Sequence, residues 1–111
     1  CLSGGKHRQA IQKDIDEAKV DMALAEALVR LNQNKDFQLV ILNGYLVKEA
    51  VRLVHEKVKT TEPEVINRGI DSISFLNRYL EVIVSRGESA GVYLFEAQNE
   101  LDKIYEELGN E

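Results

Sequence analysis

This sequence has no tryptophan, and its 111 residues include only one proline, one cysteine and one methionine. With aromatic residues at 6%, any core has to be built from Leu, Ile, Val and Ala. The shortage of proline argues against a loop-rich β fold, and 44% hydrophobic residues are too many for a disordered chain. The lone thiol of Cys1 cannot close an internal disulfide, so no oxidising compartment is implied. A chain opening on Cys1 instead of methionine reads as a processed or partial product. No apolar run approaches the ~18 residues of a membrane span, so the chain reads as soluble with no membrane partner.

Several familiar chemistries are missing as well. The histidines, His7 and His55, do not follow a glutamate by three residues, as di-metal carboxylate bundles require. His55-Glu56 lacks a second histidine four positions on, so the zinc-protease pattern fails. Gly4-Gly5-Lys6 is similar to the end of a phosphate loop, but His7 stands where Ser or Thr should hold magnesium. No nucleophile has a positioned base, and carboxylates such as Asp71, Glu81 and Glu88 form no distinctive pair. No catalytic residue, metal site or cofactor is expected, and the chain does not read as an enzyme.

Helical periodicity is what the sequence does contain. Cys1 to His7, with two glycines, reads as a flexible arm ahead of a single domain over residues 8–111. From Arg8 to Gln33, Ile11, Ile15, Ala18, Met22, Ala25 and Val29 recur at spacings of four and three. Asp36 reads as the N-cap of a second helix reaching Lys59. That helix is apolar nearly all round, which suits a central position or an oligomer interface. Gly44 within it predicts close approach by another helix. Thr61-Glu62-Pro63-Glu64 reads as a capping box opening a third helix, with Arg86-Gly87 as its stop or a slight kink. A fourth helix follows from Glu88 to Leu108. The expected fold is all-α, with four amphipathic helices in an antiparallel up-down bundle or paired helical hairpins.

Charge is unevenly spread. Residues 1–59 hold ten Lys/Arg against eight Asp/Glu, and residues 60–111 hold four against eleven, a balance of +2 followed by −7. Lys48, Arg52, His55 and Lys59 form a basic stripe on the second helix, and Glu96, Glu100 and Glu107 an acidic one on the fourth. The plain reading is solvated faces or internal ion pairs worth little. The functional reading is a complementary docking surface that sets partner register. Phosphate or nucleic-acid binding by the basic stripe is disfavoured, because no aromatic is interleaved for base stacking. Tyr45, Tyr79, Tyr93 and Tyr105 sit beside apolar stripes, as core rims and interfaces both require. The residues expected to meet a protein partner are therefore Tyr45, Leu46, Lys48, Arg52 and Leu53, continuing through His55 and Lys59 to Tyr79 and Tyr93.

One pattern goes further. Leu28-x-x-Leu31-x-x-Asn34-x-Asp36-Phe37-x-x-Val40-Ile41-x-x-Gly44-Tyr45-Leu46 is followed by Glu49-Ala50-x-Arg52-Leu53-Val54. With the later Leu76-Asn77-Arg78-Tyr79-Leu80 and Ser85-Arg86-Gly87, it resembles small helical proteins encoded by tailed bacteriophages, over roughly half the chain. The resemblance implies a virion component or assembly factor located in the virion or the host cytoplasm. Its partners would be copies of itself, as a homo-oligomer, or larger virion proteins, and no catalytic residues come with it. Two other roles fit the same features: a regulator that docks its acidic half on a host protein, and a nucleic-acid packaging or recombination accessory using Lys48, Arg52 and Lys59.

Overall fold

The computed structural model describes residues 2–109, with side chains from residue 5 onward. Cys1 lies outside the described residues. Every regular element among them is helical, so the protein is all-α. Helix α1 runs Leu2–Asn32, and three consecutive segments follow it: α2 (Lys35–Phe37), a wide π-helical stretch (Gln38–Glu49) and α3 (Ala50–Glu56). Helix α4 covers Pro63–Gly109, 47 residues without a break.

The expected third and fourth helices are therefore one, and four separate helices are not formed. Gly87 does not adopt the left-handed conformation of a helix stop, since none of the described glycines has a positive φ. It serves close packing instead: a Cβ built on Gly87 would overlap the Cβ of Ala25. The expected arm is also corrected, because α1 already begins at Leu2. A helix with a nucleus gains one hydrogen bond per added residue, which offsets the roughly 1 kcal/mol that each glycine costs.

Local capping differs from expectation. Asn34, not Asp36, caps α2, its side-chain oxygen accepting the Phe37 N–H at 3.0 Å. Asp36 falls in the first turn, where its charge suits the helix dipole. Ahead of α4 the Thr60 hydroxyl accepts the Glu62 N–H at 3.0 Å, which fixes the turn before the helix and caps none of its N–H groups. Pro63 takes the first helical position, where its missing N–H costs nothing.

The chain divides into two units, Cys1–Glu26 with Ile83–Glu111, and Ala27–Val82. The first is an antiparallel hairpin of the N-terminal part of α1 and the C-terminal part of α4. Its core gathers Ile11 and Ile15 from α1 with Ala97 and Leu101 from α4, edged by Tyr93, Leu94 and Ile104. Ala18, Ile83 and Ala90 are buried along the same unit. Alanines opposite isoleucines let the helix axes approach, which is why the narrow seams of both helices pair.

The second unit holds the end of α1, the middle helix and the N-terminal part of α4. Its buried apolar residues are Leu28, Leu53 and Ile73. Gly69 of α4 receives Leu53, whose methyl lies 3.0 Å from where a Cβ would stand. The all-round apolar middle helix is not central, for no residue of Gln38–Glu49 is buried. Gly44 also has a different reason from the one expected. Its added Cβ would meet the carbonyl oxygen of Leu39, five residues back, at 2.8 Å, so it answers to its own wide turn and not to a second helix. Gly44→Ala is accordingly expected to lower the melting temperature, although alanine ordinarily stabilises a helix over glycine. A rise in thermal unfolding by circular dichroism would contradict this account.

Candidate docking faces

The middle helix and its C-terminal overhang carry most of the expected partner residues. Lys48, Arg52, His55 and Lys59 are all exposed along it. Arg52 is not offered freely: its Nε donates to Glu49 Oε2 at 3.0 Å, and a second nitrogen reaches the other oxygen. These bonds hold the Glu49 carboxyl below its usual range and raise the Arg52 guanidinium further. Both groups stay charged through neutrality. Lys48, His55 and Lys59 enter no ion pair among the described residues.

Leu53 needs correcting as a partner residue. It is buried against Gly69, so its side chain serves the core of its own unit. The exposed apolar row lies on the other side of the helix, at Val47, Val51, Val54 and Val58, which are 55%, 52%, 58% and 92% exposed. Val51 and Val54 share a face of α3, with Lys48 and His55 beside it; Val47 precedes them in the π-helical stretch, and Val58 lies two residues past the end of α3. The all-round apolar character of this helix did not show which of its sides the fold would leave open. Tyr45 and Leu46 are half-buried, and Tyr45 borders an open concavity of about 400 Å³ with Val40, Ile41, Gly44 and Glu49. Tyr79 is exposed on α4 within the same unit, one turn from the still more open Phe75.

Tyr93 belongs to the other unit, where it packs on the isoleucine–alanine cluster as a rim residue. Burial of its ring and the carboxylates of Asp14, Glu100 and Glu17 raise its phenol pKa above the ordinary value. It lines an open concavity of about 320 Å³ with Asp14, Glu17, Asp21, Ser85 and Arg86. The acidic stripe is present as exposed Glu96, Glu100 and Glu107. Glu100 is engaged within its own unit by His7, whose Nε2 stands 3.0 Å from Oε1. That pair was invisible while residues 1–7 read as a free arm. Beside the acids, Val92 and Phe95 are exposed.

Comparison with known families, curated proteins and solved structures finds no match. Among the described residues no three His, Cys, Asp or Glu gather as a metal site, and no helix is long and apolar enough to cross a membrane. What the arrangement offers is open concavities and uncovered apolar rows with charged margins, chemistry suited to binding protein.

Proposed function

We propose that this chain is a non-catalytic assembly protein that works through helix-mediated contacts with protein, as a component of a bacteriophage virion or of its head assembly. The carrying observation is the uncovered valine row of the middle helix. Contiguous exposed apolar side chains are unfavourable in water and mark sites that another surface covers. The phage assignment draws its support from the residue pattern shared with small helical proteins of tailed phages.

Magnitudes bear on how such contacts work. Fully burying a valine is worth ~1.5–2 kcal/mol, so covering four half-exposed ones yields roughly 3–5 kcal/mol. Association itself costs about 4–15 kcal/mol. The valine row alone therefore gives at best weak binding, and stable assembly requires a partner surface that adds further apolar area or charge pairing.

Sedimentation velocity over the micromolar range tests the reading. Self-association, or co-sedimentation with particle proteins, is expected, and Val51→Lys with Val54→Lys should weaken it at least tenfold while leaving helicity intact. A chain that stays monomeric and never accompanies particles would defeat the proposal. Salt-sensitive one-to-one binding to a host protein would replace it with a regulatory role.

A further inference from the structure

We propose that copies of this chain pair through unlike faces, the basic-flanked valine row of one copy seating on the face of another that carries Val84, Val92 and Phe95 with Glu88 and Glu96 among them. The inference rests on the assembly role above and names the partner as a second copy. On α4, Val84, Val92 and Phe95 are 46%, 62% and 71% exposed. Glu88 and Glu96 stand one helical turn to either side of Val92, and both are exposed. Neither glutamate enters an ion pair among the described residues.

The two faces oppose in charge. Val84 to Phe95 covers eleven steps of continuous α-helix, roughly 16 Å, and the valine row runs from the π-helical stretch through α3 to Val58 just beyond it. On the middle helix the margin is Lys48, His55 and Lys59; on α4 Glu96 borders the face and Glu88 lies within it, between Val84 and Val92. Pairing the valine row with its own copy would bring the lysines of the two copies together, a like-charge arrangement that opposes association. Pairing the α4 face with itself would do the same with carboxylates. Only the unlike combination covers both apolar surfaces and brings cations to anions, with salt screening expected to weaken it.

A charge-exchange experiment decides the matter. Two full-length variants are made, Lys48→Glu with Lys59→Glu, and Glu88→Lys with Glu96→Lys, and circular dichroism confirms their helicity. Each alone is expected to need about tenfold more protein than the parent to reach half assembly by sedimentation velocity. An equimolar mixture should return to the parental midpoint, because each reversed face then meets a complementary one. A mixture no better than its components overturns the proposal. So does undiminished assembly of the Lys48→Glu, Lys59→Glu variant, which would show an assembly contact that does not depend on the charge beside the valine row and leave the assembly role standing. A parent chain that never self-associates removes this pairing whether or not particle proteins bind it. Cross-linking gives an independent readout should a reversed variant misfold. With Cys1→Ser in both, chains carrying Val54→Cys and Phe95→Cys should form the mixed disulfide over either self-linked product, and the reverse preference overturns the proposal.

Discussion

Gly87→Ala is expected to destabilise the protein by about 1–3 kcal/mol, the usual range for overpacking a tight contact. At this chain length that lowers the melting temperature by roughly 4 °C per kcal/mol. The sign is the informative part. In a long helix a solvated glycine replaced by alanine gains up to ~1 kcal/mol, because alanine loses less backbone entropy on folding. Gly87 lies inside the unbroken α4, so helix propensity alone predicts stabilisation. The opposite result is expected because the new methyl would occupy the space of the Ala25 Cβ. Gly91 supplies the control, since an added Cβ there meets nothing within 4 Å, and Gly91→Ala should stabilise. Adding Ala25→Gly to the Gly87 variant should recover part of the loss beyond additivity, as expected for touching residues. If urea unfolding shows Gly87→Ala and Gly91→Ala both stabilising, the close crossing of α1 and α4 at this point is wrong.

The second large effect is expected at Ile15. This residue is 5% exposed and sits with Ile11, Ala97 and Leu101 at the centre of the hairpin unit. Ile15→Ala removes buried methyl groups and leaves a void that helices meeting across alanines cannot easily close, costing about 2–4 kcal/mol. Small domains are stable by only about 5–15 kcal/mol, so a large share of the total would be lost. Val54→Ala, on the exposed row, should change stability by less than about 0.5 kcal/mol while weakening assembly. Comparable stability losses for the two substitutions would mean that the isoleucine–alanine cluster is not the core, or that the valine row is not free.

Much of the hairpin could be read from residue spacing. Ile11, Ile15 and Ala18 recur at spacings of four and three and are buried, whereas Val29 of the same row, near the end of α1, is 57% exposed. Periodicity reports burial reliably when a helix keeps the α repeat and meets one neighbour. The middle helix meets neither condition. Its wide turn over Gln38–Glu49 shifts side chains off an α-helical wheel, and its all-round apolar character could not show which side the fold would cover. The docking candidates follow the same division. The basic stripe was legible as charge at helical spacing, whereas the burial of Leu53 depends on Gly69, sixteen residues away.

Composition and periodicity by themselves determined that this protein is all-helical, where its isoleucine and alanine seams lie, and which segments carry opposite charge. Those properties are local, because propensity and spacing act over one or two turns. Tertiary structure alone decided that Gly87 continues a helix instead of ending one, that Leu53 faces inward, and that the valines face out. Each of these depends on which atoms from distant parts of the chain occupy the neighbouring space, and glycine permits a tight crossing as readily as a turn until its neighbour is known.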